Sequence, residues 1–201
     1  FRRVLFRALL LANGFEILEA SAFIDVIGWN MVEGDRNTAL YTAGNTRIIH
    51  STFNQSFNVD LTLEEVQEDA FDALAIPGGF EQYGFFEDAF SESFQNMIRA
   101  FDKQRKVIAS VCVGALALGK SGILENRTAT TYCLNPVRKQ QLKDFGAQIS
   151  DLPIVNENHI ISSDGPSTAI NVAFLLLEKL TSSENVLHVR KLMGYDREKP
   201  K

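Results

Sequence analysis

Cys112 occupies a position where a cysteine can act as a nucleophile. Residues 108–119 read as a buried strand before the cysteine and as a small-residue helix after it. Such a turn holds a thiol out of the sheet, and the free N–H groups and dipole of the following helix favour the thiolate. A buried cysteine is also a common packing residue, so the position leaves packing, nucleophilic catalysis and redox sensing open.

Glu19 is the candidate proton carrier for this thiol. It falls one turn into a predicted first helix, close to the end of a predicted strand at 5–11. An ionised Glu19 beside Cys112 would raise the thiol pKa, so only a protonated carboxyl can donate to the sulfur. The two groups would then share one proton and titrate as a pair. The alternative is a carboxylate that merely complements the helix dipole.

A Pro77-Gly78-Gly79 sequence ends another predicted strand. The unobstructed N–H groups of Gly78 and Gly79, with the N–H of Val113, predict an oxyanion pocket for a bound carbonyl group. Taken alone, a Pro-Gly-Gly sequence is usually only a turn. The functional interpretation depends on three strand-end loops, at 13–19, 77–80 and 111–114, that converge on one edge of a sheet.

The elements that must position these groups follow a βα order. Short apolar runs alternate with helical patterns, which is typical of a mostly parallel sheet whose ligand crevice lies at the carboxyl ends of its strands. Residues 62–65 match a capping box. The predicted strands are 5–11, 71–76, 107–110 and 128–132, with an edge hairpin at 38–42 and 47–52 and a second β pair at 154–155 and 159–162; the predicted helices are 16–27, 92–103, 113–120, 136–145, 168–180 and 184–193.

Composition narrows the class of protein. The chain has 201 residues and no internal repeat or linker, so we expect one domain spanning 1–201. The net charge of −5, without a Lys- or Arg-rich run, disfavours a nucleic-acid partner. Arg7 interrupts the first apolar run, which disfavours a membrane span. Two cysteines without a CxxC pattern and three isolated histidines predict no metal site and a reducing, cytoplasmic setting.

Five segments resemble successive motifs of the ThiJ/PfpI superfamily, which has the class I glutamine amidotransferase-like fold. They are LANGFEILE (11–19), AIPGG (75–79), IASVCVG (108–114), ATTY (129–132) and IISSDGP (160–166). The resemblance covers almost the whole chain and implies a three-layer α/β/α sandwich with a flavodoxin-like, mostly parallel sheet and a nucleophile elbow. Members of this superfamily include the parkinsonism-associated deglycase, intracellular protease I and isonitrile hydratase.

The resemblance also implies roles for individual residues. Cys112 corresponds to the elbow nucleophile, Glu19 to the glutamate bonded to it, and Gly78 and Gly79 to the oxyanion glycines. The superfamily is usually homodimeric and needs no cofactor. Its reported activities include glyoxalase, deglycase, peptidase, chaperone and isonitrile hydratase, and its cysteine is readily oxidised to a sulfinate.

The chain departs from the superfamily at its two histidine positions. These are occupied here by Val113 and Tyr132, which disfavours a Cys–His protease mechanism. The Tyr132 hydroxyl either donates to a bound carbonyl or to the sulfur, or only fills the space of the histidine. Its reference pKa of about 10 makes it a poor base at neutral pH. Strand alternation predicts that Cys133 points away from Cys112, which argues against a resolving thiol.

Two functional hypotheses follow, with simple packing of Cys112 as a third alternative. In the first, the protein is a cofactor-independent cysteine hydrolase or lyase for a small electrophile. Cys112 attacks, Gly78, Gly79 and Val113 hold the oxyanion, Glu19 moves the proton, Tyr132 assists, and the aromatic segment 80–86 walls the pocket. In the second, the protein is a redox-sensing, stress-protective protein whose Cys112 is oxidised without efficient turnover.

Overall fold

A computed structural model describes residues 5–196 of the chain. The strands in chain order are β1 (Leu5–Leu10), β2 (Thr38–Gly44), β3 (Ile48–His50), β4 (Ser56–Asn58), β5 (Leu61–Thr62), β6 (Ala73–Ile76), β7 (Val107–Ser110), β8 (Thr128–Ala129), β9 (Gln148–Ile149), β10 (Ile154–Glu157) and β11 (Ile160–Ser163). The α-helices are α1 (Ile17–Glu33), α2 (Phe85–Ala89), α3 (Glu92–Lys103), α4 (Gly114–Lys120), α5 (Pro136–Asp144), α6 (Ala169–Leu180) and α7 (Ser183–Leu192).

A seven-stranded sheet forms the middle layer, in the order β10-β11-β7-β6-β1-β2-β5. Its neighbours are parallel except β10 and β11, which are antiparallel. Helices α1, α6 and α7 contact one another, while α2 contacts α3, α3 contacts α4 and α4 contacts α5, so the helices form two groups that flank the sheet. The predicted three-layer α/β/α sandwich with a mostly parallel sheet is confirmed.

The central strands consist of continuous apolar runs, because helices cover both faces of the sheet. Every residue of β6 is fully buried, and only the first residue of β7 is partly exposed. Parallel pairing of β6 with β1 and β7 brings the carboxyl ends of these three strands to one edge of the sheet. The segments that follow them carry the predicted site residues other than Tyr132, which comes after β8, so the main sheet itself brings most of the site together.

The predicted edge hairpin at 38–42 and 47–52 is wrong. β2 pairs in parallel with β1 inside the main sheet, because the crossover through α1 returns the chain in the same direction. β3 instead pairs with β4 in a separate two-stranded sheet. The predicted strand at 128–132 is cut to Thr128–Ala129, which pairs with β9.

Other elements agree closely with the sequence-based prediction. Helix α3 and strand β7 have the predicted bounds, and the pair at 154–155 and 159–162 is the antiparallel β10–β11 hairpin. Thr62 and Glu65 form the predicted capping box, although it begins only a single 3-10 turn. The first helix runs six residues beyond the predicted end at 27, as far as Glu33. The assignment of residues 1–201 to one domain stays a prediction.

Within residues 5–196, no helix combines the length and apolar character needed to cross a membrane.

Candidate active site

Cys112 lies on a strained turn between β7 and α4. Its φ of 55° is in the left-handed region, which residues other than glycine rarely adopt. Its N–H donates to the carbonyl of Ser163 at 2.9 Å, and its carbonyl accepts the hydroxyl of Thr131 at 3.0 Å. These two bonds, from β11 and from the segment after β8, hold the strained conformation in place. The predicted nucleophile elbow is therefore present as a backbone feature.

Two glycines allow neighbouring backbone to pack closely against the turn at Cys112. A Cβ atom on Gly114 would lie 2.8 Å from the carbonyl oxygen of Ile76. A Cβ atom on Gly78 would lie 2.9 Å from the nitrogen of Val113 and 3.0 Å from both the Cβ of Cys112 and the Oε2 of Glu19. The loop after β6 can pack against the elbow at this distance only because it has no side chain there.

Glu19 is completely buried behind the cysteine, in the first turn of α1. Its Oε2 accepts the backbone N–H of Gly78 at 2.5 Å, while its Oε1 is buried without a hydrogen-bond partner among the described residues. Burial raises the pKa of Glu19 to about 8; the charge of Glu16 adds to the rise, and the Gly78 N–H and the Cys112 thiol oppose it. At neutral pH this carboxyl therefore carries a proton.

The thiol of Cys112 is likewise held in its neutral form. Burial raises its pKa above the ordinary range, and the charge of Glu19 raises it further. The N–H of Val113, at the beginning of α4, interacts with the sulfur and lowers the thiol pKa. The helix terminus thus acts in the direction that the sequence predicts, but burial outweighs it.

A cavity of about 310 Å³ opens over the elbow. Four predicted site residues line it, namely Cys112, Val113, Gly79 and Tyr132. The other lining residues are Glu16, Phe80, Glu81, Gln82, Asn135, Arg138 and Pro166. Only 7% of Cys112 is exposed, so a reagent must enter this cavity to reach the sulfur.

The two oxyanion glycines have different surroundings. The N–H of Gly78 already donates to Glu19. The N–H of Gly79 makes no hydrogen bond within residues 5–196, and Gly79 lines the cavity. Among the described residues, the N–H of Gly79 thus stays without a partner beside the cavity, whereas the N–H of Gly78 is taken up by the carboxyl of Glu19.

Comparison with known proteins assigns this arrangement to a family. Residues 3–179 match the model of the DJ-1/PfpI family. The chain belongs to the DJ-1/PfpI family. This result confirms the resemblance to the ThiJ/PfpI superfamily that the sequence motifs indicate.

Individual DJ-1/PfpI relatives are similar in sequence and structure. Protein dj-1beta of Drosophila melanogaster is 30% identical over 141 residues, which are 68% of this chain and 72% of that protein. Its crystal structure matches 94% of this chain and 97% of its own, with a TM-score of 0.81 and 25% identity. A glutathione-independent glyoxalase of Caenorhabditis elegans is 26% identical over 145 residues, covering 72% of this chain and 74% of the relative. DJ-1 homolog A of Arabidopsis thaliana is 27% identical over 184 residues, which are 91% of this chain but only 45% of that protein.

No histidine of this DJ-1/PfpI protein lines the cavity over the elbow. The Nδ1 of His50 lies 3.2 Å from the Ser56 hydroxyl, and the Nε2 of His188 lies 3.2 Å from the carbonyl of Glu33. His159 contacts Asp102 and precedes β11, at the sheet edge opposite Cys112. Cys133 is exposed and is not a cavity residue, so the structure does not bring the two cysteines into one pocket.

Sequence reasoning missed two charged residues of the cavity. Glu16 precedes α1 and stands three residues before Glu19, a spacing that could have identified it. Arg138 comes from α5, lies 4.6 Å from the centre of the Phe86 ring and donates to Glu81 at 2.5 Å. Nothing in the sequence pattern of α5 distinguishes Arg138 from the other charges of that helix. Of the aromatic segment 80–86, only Phe80 contributes an aromatic wall to the cavity.

Proposed function

We propose that the protein is a cofactor-independent cysteine enzyme that converts small electrophilic carbonyl compounds, with an α-oxoaldehyde such as methylglyoxal as the first candidate substrate. The observation that carries the proposal is the strained Cys112 at the floor of a cavity, with the protonated Glu19 directly behind it. A relative named as a glutathione-independent glyoxalase supports this choice of substrate class. Deglycase- and isonitrile hydratase-type reactions are alternatives that use the same cysteine.

The proposed reaction begins with addition of the Cys112 sulfur to the aldehyde carbon. An S–C bond forms, the thiol gives up its proton, and the carbonyl oxygen becomes a hydroxyl. A proton then moves from that carbon to the adjacent keto carbon, and the new hydroxyl proton moves to the keto oxygen, which yields the thioester of a 2-hydroxy acid. Water cleaves the thioester and restores the thiol. One oxoaldehyde and one water give one hydroxy acid, and the oxidation of one carbon balances the reduction of its neighbour.

Each site residue has a proposed role in this reaction. The N–H groups of Gly79 and Val113 stabilise negative charge on the substrate oxygen, with the Tyr132 hydroxyl as a further donor. Glu19 shuttles the thiol proton, releasing the proton that it already holds as it accepts the one from the sulfur, and the Gly78 N–H fixes the orientation of its carboxyl.

Turnover of methylglyoxal by the purified, fully reduced protein tests the proposal. We expect formation of a 2-hydroxy acid by the wild type, none by Cys112→Ser, and an unchanged rate for the matched control Cys133→Ser, because Cys133 lies outside the cavity. An isonitrile and a glycated amino acid assayed in parallel identify the reaction type. A reduced wild type that converts none of the three would overturn the proposal.

A second candidate function is redox sensing, and the buried, unpartnered Oε1 of Glu19 favours it. A protonated carboxyl in this place can donate to an oxygen added to the sulfur. Peroxide would oxidise the Cys112 thiol to a sulfenic acid with release of water, and a second peroxide would give the sulfinic acid. Mass spectrometry after mild peroxide should find the added oxygen at Cys112 rather than at Cys133. Equal oxidation of the two cysteines would contradict this function.

We further propose that the protein is a homodimer of the cytoplasm. Helix α1 exposes apolar side chains, among them Leu18, Trp29 and Val32, which are 61%, 41% and 63% exposed. A second copy would cover them, and the two free thiols fit a reducing compartment. Light scattering should give twice the monomer mass, and Val32→Glu should give a monomer. A monomeric wild type at micromolar concentration would contradict the dimer.

A further inference from the structure

We infer that Glu16 is the catalytic acid and base that passes protons between the buried Cys112–Glu19 pair and the substrate. This inference rests on the proposed function and deepens it. It answers a question that the missing histidine raises, namely which group of the cavity exchanges protons with the substrate. Three structural observations support it.

The first observation is that Glu19 cannot do this alone. Its side chain has no exposed surface, one oxygen is bonded to the Gly78 N–H, and the cavity lining does not include it. A proton that Glu19 takes from the thiol therefore cannot pass directly to a bound substrate. It must leave through a neighbouring group that has access to the cavity.

The second observation is the position of Glu16. Its N–H donates to the carbonyl of Gly78 at 2.9 Å, so the same glycine holds the backbone of Glu16 and the carboxyl of Glu19. Glu16 directly precedes α1, three residues before Glu19, and the two carboxyl side chains interact. The half-buried side chain of Glu16 lines the cavity beside Cys112.

The third observation is that the other titratable groups of the cavity are unsuited to this role. Glu81 is 66% exposed and forms an ion pair with Arg138. Tyr132 offers a phenolic hydroxyl, which the proposed reaction already uses as a hydrogen-bond donor. Cys112 is the nucleophile itself. Among the cavity-lining residues, Glu16 is the carboxyl that adjoins both the buried pair and the substrate space.

The protonation states of Glu16 and Glu19 are those that a proton relay between them requires. Burial raises the pKa of Glu16, and its interaction with Glu19 opposes the rise. The pKa of Glu19 reaches about 8, with the charge of Glu16 contributing. Neighbouring carboxyls of this kind titrate as a pair, so near neutral pH Glu19 holds the proton and Glu16 can accept one.

The relay balances with the proposed reaction. As the sulfur bonds to the aldehyde carbon, the thiol proton passes to Glu19, Glu19 passes its own proton to Glu16, and Glu16 donates to the carbonyl oxygen. Glu19 is then again protonated and Glu16 again a carboxylate. Glu16 next removes the proton from the former aldehyde carbon, leaving the C–H electron pair in a C=C bond. The C=O electron pair of the keto group moves onto its oxygen, which takes up the hydroxyl proton of the former aldehyde carbon. Glu16 then returns the carbon-bound proton to the former keto carbon, and the C=C pair supplies that C–H bond as the thioester carbonyl forms.

The test compares turnover with alkylation of Cys112 by iodoacetamide. We expect Glu16→Gln to lower kcat for methylglyoxal at least about 100-fold, a typical contribution of acid–base catalysis. Alkylation at a given pH should become faster, because the charge of Glu16 raises the thiol pKa. The acid limb of the kcat/KM profile should also disappear. Glu16→Asp should restore part of the turnover, and the matched control Glu92→Gln, which changes an exposed carboxyl in the first turn of α3 outside the cavity, should keep it.

The outcomes separate this inference from the proposed function. A wild type without turnover overturns the proposed function, and the catalytic role of Glu16 with it. A wild type that turns over while Glu16→Gln stays within threefold of it overturns only the inference. Loss of both turnover and alkylation in Glu16→Gln, with a lowered melting temperature, shows a structural role and also overturns it.

Discussion

The backbone N–H of Gly78 donates to the Oε2 of Glu19 at 2.5 Å, and this bond joins the loop after β6 to the first turn of α1. The bond is short and buried, and its acceptor is the carboxyl that adjoins the nucleophile. The same glycine approaches the Cβ of Cys112 so closely that a methyl group on it would lie 3.0 Å away. The position of the carboxyl relative to the sulfur therefore depends on the backbone of one glycine.

Gly78→Ala is expected to reduce both activity and stability. The added Cβ meets backbone and side-chain atoms of Val113, Cys112 and Glu19 at 2.9–3.0 Å, and such overpacking costs about 1–3 kcal/mol. Urea unfolding and methylglyoxal turnover measure the two effects. Gly28→Ala is the control, since a Cβ there meets nothing within 4 Å and alanine favours the helix. Equal stability and equal turnover of the two variants would contradict the close approach of Gly78 to Val113, Cys112 and Glu19.

The alkylation of Cys112 should show a high thiol pKa. In a Cys133→Ser background, we expect the iodoacetamide rate of Cys112 to rise only above the ordinary thiol pKa of about 8.5, because burial and the charge of Glu19 both raise it. Glu19→Gln removes the charge, so its curve should lie at lower pH. A shift to higher pH would mean that the protonated carboxyl is the main donor to the thiolate.

The stability of the fold should depend on pH through Glu19. Its pKa is raised from 4.5 to about 8, so between these values the folded state keeps a proton that the unfolded chain has released. Raising the pH therefore favours unfolding, by up to about 1.4 kcal/mol per pH unit. The free energy of unfolding of Glu19→Gln minus that of the wild type should grow from pH 5 to pH 8. Parallel pH curves for the two proteins would show that Glu19 does not titrate in this way.

Thr131→Val is expected to loosen the elbow. The hydroxyl of Thr131 donates to the carbonyl of Cys112 in a buried setting, and losing such a bond costs about 1–3 kcal/mol. Turnover should fall with stability, because this bond helps to hold the strained cysteine. Thr181→Val removes the part-buried bond from the Thr181 hydroxyl to the carbonyl of Leu177 at the end of α6, together with the bond that this hydroxyl accepts from Asn185. That control should lose stability alone, and a Thr131→Val enzyme of full activity would contradict the role.

The sequence was sufficient to predict the elbow and most of the sheet. An uninterrupted apolar run such as Ala73–Ile76 predicts a strand that is buried on both faces. A helix of small residues directly after Cys112 predicts the tight turn that holds the cysteine. Which strands pair with each other could not be predicted in the same way, because the pairing depends on the direction in which the connecting chain crosses back to the sheet. The run at 38–42 has the composition of an edge strand, yet the path through α1 makes it a parallel neighbour of β1.

The cavity and its charged lining residues were harder to predict from the sequence. Glu16 could have been inferred from its three-residue spacing to Glu19, whereas Arg138 reaches the cavity from a polar helix far along the chain. The thiol pKa was also beyond sequence reasoning. A helix terminus can be recognised in a sequence, but the burial that outweighs its effect on Cys112 arises only when the chain is folded.

The left-handed backbone of Cys112 sets catalysis against thermodynamic stability. A glycine in this conformation avoids a steric penalty of about 1–2 kcal/mol, so the position of the proposed nucleophile is also one where a glycine variant relieves strain. Directed evolution of this protein for heat resistance alone would therefore select against Cys112, the nucleophile of the proposed reaction. Any such selection has to be coupled to turnover if it is to keep residue 112 a cysteine.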